Sequence, residues 1–272
     1  VEMKLSAKGE KISHRFVRGI MRSLASLSYE EAQAAIDGNP SERASPLVET
    51  VLTPLYAAYE ALKIAREARQ PLDLDLPERK IILSDTGKVT SINFRDRLDA
   101  HRLIEECMVL ANVAAAETLI TNKQALLFRV HEEPSPEKLN SLRETAKSVG
   151  LLLAKGQVLK TRHLNQLLQA ATGRDEAELI NLSTLRSMTQ AYYSPQNMPH
   201  FGLALKNYAH FTSPIRRYAD LLIHRALVSA HNWNTDGLSL QDLEMLDETA
   251  EQISDTERRS MVAERDTADR YL

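Results

Sequence analysis

The residues with the most chemistry to offer crowd into one short segment. Between His210 and Arg225 the chain places Arg216, Arg217 and Arg225, the histidines His210 and His224, and a single acid, Asp220. The remainder is slightly acidic: 34 Lys and Arg stand against 37 Asp and Glu, a formal net charge of -3 over 272 residues. That balance excludes nucleic-acid binding spread over the whole surface but leaves room for a local basic channel. Ser213 before Pro214 reads as a helix start, because serine caps and proline has no amide hydrogen to lose at the first helical position. The free amides of such a start form an anion site. Arg216 then falls in the first turn, where a fixed cation opposes the helix dipole and calls for an outside partner. A phosphate, gripped bidentately, is the natural one. Asp220 follows Arg216 by four residues and Arg217 by three, so it can orient either guanidinium. The plainer alternative is that Ser-Pro only starts a helix and the arginines bridge to surface carboxylates. Tyr218, Leu221, Leu222 and Ala226 form the core face under both.

Other titratable groups narrow the chemistry. On a helix at about 100° per residue, Glu105 and Asn112 share a direction at the edge of the apolar arc filled by Leu103, Ile104, Cys107, Leu110 and Ala111, while Glu106 and Glu117 point to solvent. Glu105 therefore either lines a polar cavity or makes a boundary salt bridge. Cys107, the single cysteine, reads as core; it excludes a disulfide framework and a thiolate zinc site and fits a reducing cytoplasm. His131, His210 and His224 lack metal-ligand spacing, so no metal residue is assigned. No run of about 18 apolar residues spans a membrane.

These groups need a scaffold, and the pattern supplies one. Val1, Met3 and Leu5 alternate, a turn follows at Ala7-Lys8-Gly9, and Ile12 to Arg18 continues as a second extended run, giving a hairpin. Ser28-Tyr29-Glu30-Glu31 is a capping box for a helix ending near Asp37-Gly38-Asn39-Pro40. Ser45-Pro46 opens a helix to about Arg69 with a kink at Pro54. Lys80–Leu83 and Lys88–Ile92 flank Asp85-Thr86-Gly87 as a second hairpin. A helix over about 99–121, a strand over 125–130, and helices over about 136–149, 163–171, 175–190, 213–231 and 240–270 follow, with 201–211 as the last extended segment. The fold class is α+β and helix-rich, with β-hairpins in the first third and long helices after. Val1 is no Met and reads as strand interior, which suggests a piece of a longer protein.

One longer order of residues is specific. His200-Phe201-Gly202-Leu203-Ala204-Leu205, then Tyr208-Ala209-His210-Phe211-Thr212-Ser213-Pro214-Ile215-Arg216-Arg217-Tyr218-Ala219-Asp220 and His224-Arg225-Ala226, resembles the signature of the RNB exoribonucleases, the ribonuclease II and ribonuclease R family. Arg18 to Glu31, His101 to Met108, Phe128 to Glu132 and Ala263-Glu264-Arg265-Asp266 look like further family segments in the family order. The resemblance covers nearly the whole chain. It implies a large part of an RNB catalytic domain over 1–272, acting as a 3′-to-5′ hydrolytic exoribonuclease on single-stranded RNA, releasing nucleoside 5′-monophosphates, with Mg²⁺ held by aspartates. It makes Arg216 the catalytic arginine on the scissile phosphate. Thr212, Ser213 and Arg217 join the RNA-binding set, although Arg217 serves equally well as a structural pair. It makes Tyr29 an aromatic that contacts a base, where simple packing is the alternative, and Glu105 a contact to a base edge. Glu264 lies near the RNA path, or else on a solvated helix face.

Two departures from the family pattern matter. The family's aspartate cluster has no counterpart here. Asp73-Leu74-Asp75 is the nearest acidic pair and reads as a loop, and Leu74 stands where some relatives carry an aromatic. The Mg²⁺ ligands are therefore expected upstream and an S1 domain downstream, and the chain by itself is expected to be inactive. Two other functions compete: a metal-free RNA-binding or regulatory module, and a helical interaction protein.

Overall fold

The computed structural model describes residues 1–74, 76, 79–94, 97–154 and 159–271. The chain divides into two compact units, Val1–Arg69 with Asp96–Ala115, and Gln70–Arg95 with Ala116–Leu272.

In the first unit, β1 (Glu2–Leu5) pairs antiparallel with β2 (Lys11–Arg15), Glu2 opposite Arg15, with a register shift at Lys4/Leu5. The turn is held by Ser6, whose Oγ accepts from the amides of Lys8 and Glu10. α1 (Tyr29–Ile36) starts with the expected capping box: Ser28 Oγ accepts from Glu31 N–H, and Glu31 accepts from Ser28 N–H. Arg43 fastens the same Glu31 at 2.7 Å. The helix expected over 45–69 is in fact three pieces. A 3₁₀ turn (Ser45–Leu47) and one π turn (Val48–Leu52) precede α2 (Thr53–Arg69). Pro46 and Pro54 explain the break, since neither can donate and each ring crowds the preceding turn.

The second unit contains the hairpin β3 (Arg79–Leu83) with β4 (Val89–Phe94), turned at Gly87 with φ +76°. The expected loop at Asp73-Leu74-Asp75 is irregular at Asp73 and Leu74, where Leu74 packs against the apolar cluster below, while Asp75 lies outside the described residues. α3 (Asp99–Thr121) belongs to the first unit as far as Ala115. β5 (Phe128–Val130) pairs antiparallel with β6 (Tyr192–Ser194), Arg129 opposite Tyr193. α4 (Pro136–Ser148) starts on Ser135 and stops at Gly150, φ +75°. α5 (Thr161–Ala171), α6 (Ala177–Ser187), α7 (Tyr218–His231), α8 (Leu240–Glu244) and α9 (Leu246–Tyr271) complete it.

The core of this unit has two centres. Leu142, Leu164, Leu167 and Ile180 join α4, α5 and α6. Leu127, Tyr193, Ala219, Leu222, Leu246 and Ala250 join the β5–β6 pair to α7 and α9. The class is α+β as expected, with three small two-stranded sheets among the described residues.

Two expectations need correction. β6 was not foreseen, because three residues are too short to show alternation. Residues 201–211 are not extended: His200 and Leu205 close a tight turn on each other, His200 N–H to Leu205 O at 2.8 Å, and Ala204 takes φ +53°.

The β1–β2 turn is pressed against α2. A Cβ on Gly9, itself at φ +73°, would lie 2.1 Å from Ala61 O. Backbone on both sides leaves no side chain to yield. Gly9→Ala is expected to destabilise the chain by about 2–4 kcal/mol, measured by denaturant unfolding. An unchanged midpoint would show that the hairpin separates from α2 in solution.

Candidate functional site

The basic segment folds differently from its Ser-Pro signature. α7 begins at Tyr218, not at Ser213, and Arg217 occupies the position before its first turn. Residues 213–217 form a turn instead: the amides of Arg216 and Arg217 both donate to Ser213 O, at 3.3 and 3.0 Å. Pro214 suits that turn, with its φ preset for the second position. The cause of the shift is Asp220. Its carboxylate is fully buried and accepts the Ser213 amide at 2.7 Å through Oδ1. The same carboxylate takes Arg217 bidentately, Nε to Oδ2 at 2.7 Å and Nη2 to Oδ1 at 2.8 Å. A serine cap at 213 would give up these bonds. The proline-capped anion site at a helix start is therefore absent, and Arg216 lies ahead of the helix on the turn.

That turn sorts the three arginines. Arg217 is spent on Asp220, and Arg225 on Asp242, at 2.7 Å, and Gly237 O. Arg216 is exposed, and among the described residues no carboxylate pairs with it. Ile215 beside it projects fully into solvent, and Thr212 and Ser213 form the half-buried flank. The α7 core face also rotates from the expected one. Ala219, Leu222, Ile223, Ala226 and Leu227 are buried, while Tyr218 and Leu221 are exposed.

Behind the turn lies a network that the pattern did not reveal. Arg129 of β5 pairs with Glu257 of α9 and lies 4.7 Å over the Tyr193 ring. Tyr193 Oη is hydrogen-bonded to His210 Nδ1 at 2.8 Å. Burial, then the charges of Arg217 and Arg129, hold the His210 imidazole down to about 2. Burial, then His131 and Arg129, hold His200 to about 3. Burial also lowers His131. Gly202 N–H donates to His131 Nδ1 at 3.0 Å, so the proton is on Nε2, facing Thr189 O. A Cβ on Gly202 would meet that Nδ1 at 2.8 Å. The pairing of Arg129 with a carboxylate 128 residues away carried no sequence signal.

The first unit holds the other candidates. Glu105 is partly exposed and paired with Arg97 at 2.5 Å. Tyr29 is 39% exposed, with its ring stacked on His101. Glu106, expected to be solvated, is buried at 4% exposure between Arg66 at 2.8 Å and Arg69 at 3.2 Å. The wheel sent it outward because it could not foresee two guanidinium groups arriving from α2. Asn112 is buried, Glu117 and Cys107 are half-buried, and Ile104 is exposed. Burial pushes the Cys107 thiol up, against reactivity. In the second unit Glu264 is exposed on α9 and rims a shallow groove with Ile81, Leu83 and Tyr271. Among the described residues no three His, Cys, Asp or Glu side chains group to hold a metal ion. The described residues thus do not fit the Mg²⁺ of the family pattern.

The buried imidazoles set a pH signature. Their folded pKa values are depressed, so below the unfolded value of about 6.5 the unfolded chain binds more protons. Stability is full above that pH and falls as acid is added, by up to about 1.4 kcal/mol per pH unit for each histidine. Unfolding curves between pH 7 and 4.5 are expected to show this slope; a flat profile contradicts it. Asp220→Ala, which strands the Arg217 cation, is expected to cost about 3 kcal/mol in the same assay.

Comparison with known proteins shows a likeness over the whole chain. The RNB domain model matches residues 1–232. Ribonuclease R of Escherichia coli (strain K12) is 39% identical over 279 residues, covering 98% of this chain and 34% of the relative. Ribonuclease R of Aquifex aeolicus is 36% identical, covering 100% and 38%. The chain thus spans about a third of the length of these curated relatives. Mycoplasma genitalium RNase R in complex with ribose-methylated single-stranded RNA superposes with a TM-score of 0.90 at 27% identity, over 99% of this chain and 42% of that one. With a family model matched over most of its length and relatives above one-third identity, the chain belongs to the RNB domain family.

Proposed function

We propose that this chain is the RNA-gripping part of a 3′-to-5′ hydrolytic exoribonuclease that acts on single-stranded RNA and releases nucleoside 5′-monophosphates in the cytoplasm. The observation that carries the reading is the sorting of the arginines. Arg217 and Arg225 are neutralised in place, and Arg216 is left unpaired and exposed on a turn tied to a buried carboxylate. A guanidinium so presented suits the bidentate grip of a phosphodiester and the stabilisation of charge that develops on it during hydrolysis. Thr212 and Ser213 flank it and supply hydroxyl groups for the backbone of the strand. Tyr29 offers a ring face to a base, and Glu105 a carboxylate to an exocyclic amino group. Arg217 acts as the brace of the turn. Glu264 contacts RNA only at the edge of the path. The relatives named above are ribonuclease R proteins, one of them bound to single-stranded RNA, which supports the same reading.

A divalent metal would supply Lewis acidity in such a hydrolysis, and no carboxylate set to hold one is grouped among the described residues. The 272-residue chain with added Mg²⁺ is therefore expected to bind single-stranded RNA, with affinity falling steeply as salt rises, but not to release mononucleotides. Processive release would overturn that division of labour. Absence of binding at low salt would favour a helical interaction protein instead. In a protein that joins this segment to the metal ligands, Arg216→Ala is expected to lower turnover by about 10²–10³-fold while most RNA affinity remains. Unchanged turnover would remove Arg216 from the reaction and favour the RNA-binding module.

A further inference from the structure

Tyr29 and Glu105 stand far apart in sequence, and one side chain links them. The Tyr29 ring lies on His101, centroids 4.1 Å apart and planes inclined by 25°. His101 sits one helical turn before Glu105 on α3, so the two side chains share a face. The register of this stack is fixed. One turn after Tyr29 on α1, Gln33 Oε1 accepts the Ala100 amide at 3.0 Å, next to His101 in the chain. At the other end, the Ser28–Glu31 capping box and the Arg43 pair hold the first turn of α1, from which Tyr29 projects.

His101 is odd for a packed residue. Both ring nitrogens are buried, and neither has a hydrogen-bond partner among the described residues. An unpartnered buried polar group costs about 1–3 kcal/mol, and an apolar residue in its place would cost nothing of that kind. The nitrogens therefore do not account for the imidazole in this position. What the ring does contribute is a rigid plane, laid nearly parallel to a tyrosine that keeps 39% of its surface open. A tyrosine without a backing plane can rotate about its two side-chain torsions; backed on one face, it can present only the other.

We propose that His101 is a positioning residue for RNA, a flat backing that fixes the pitch of the Tyr29 ring so that a nucleobase stacks on it beside Glu105. The inference rests on the reading of Tyr29 as a base contact. It needs the plane of the ring and not its polarity, and that distinction makes it testable.

The experiment measures the affinity of the 272-residue chain for a fluorescently labelled single-stranded oligoribonucleotide, with thermal melting as the check on folding. Tyr29→Ala is expected to weaken binding by about 5–100-fold, the span of one lost base stack. His101→Leu, which fills the space without a plane, is expected to fold normally and weaken binding by about 3–10-fold. His101→Phe, which restores the plane, is expected to bind within about twofold of the unaltered chain. In a Tyr29→Ala background, His101→Leu is expected to have no further effect, because the ring it serves is gone. Losses that multiply in the double variant, or a His101→Phe chain as weak as His101→Leu, would overturn the proposal. If Tyr29→Ala weakens binding and His101→Leu does not, His101 alone is refuted. If Tyr29→Ala binds normally, the base-contact reading fails and this inference fails with it.

Discussion

The geometry of the basic segment depends on one carboxylate. Asp220 is fully buried on the first turn of α7, and an ionised group in that position is tolerated only with its lone pairs occupied. Three donors occupy them: the Ser213 amide and two nitrogens of Arg217. Each bond has a structural consequence. The first folds residues 213–217 back as a turn, so that α7 cannot begin at Ser213. The second pins Arg217 inward and removes its charge from the surface. With the turn closed and its neighbour turned in, Arg216 has one direction left, outward. The exposed cation is thus the remainder of an internal ion pair.

The first unit follows the same logic with different residues. Glu106 is buried and bound by Arg66 and Arg69, which fixes the face that α3 turns toward α2. The next residue back, Glu105, is thereby displaced by about 100° around the helix. It emerges half-exposed, with Arg97 on it at 2.5 Å and Arg66 at 4.0 Å. In both places a buried acid clamped by guanidinium groups bears on where a nearby candidate side chain points, Arg216 beside Arg217 and Glu105 beside Glu106. Breaking such a clamp therefore releases its neighbour as well as loosening the fold.

How much of this could be read from residues alone depended on range. The Ser28 and Ser135 caps and the Gly87 and Gly150 stops are local, and each stands where its spacing put it. The resemblance to the RNB family rested on an ordered motif and singled out Arg216, which lies exposed on the turn ahead of α7 and not in its first turn. What failed was every inference that depended on a partner distant in sequence or on a choice between competing bonds. Ser213-Pro214 has the form of a helix start, but a carboxylate seven residues on outbids the serine hydroxyl for the backbone. Glu106 has the wheel position of a solvated acid, but two arginines from another helix change its environment. His101 was visible only as one letter of a family segment. Its partner Tyr29 lies on a different helix, and no periodicity links residues that meet only through folding.

The depressed histidines describe the electric field of the same region from within. His210 is kept neutral first by burial and then by Arg217, Arg129 and Arg216 among its neighbours. His200 is kept neutral by burial, His131 and Arg129. Burial is the first cause in both, and the neighbouring arginine charges act in the same direction. Because those two imidazoles stay uncharged far below neutrality, they add no charge beside the guanidinium that Arg216 exposes. Guanidinium charge does not titrate in the range where RNA is handled. Under the proposed reading, the pull on an anionic strand is therefore constant with pH near neutrality and is modulated chiefly by salt. A site built on histidinium would have weakened as the pH rose through 6 to 8. Buried neutral histidines behind fixed arginines avoid that loss, and the acid-side cost in stability falls where the fold is not asked to work.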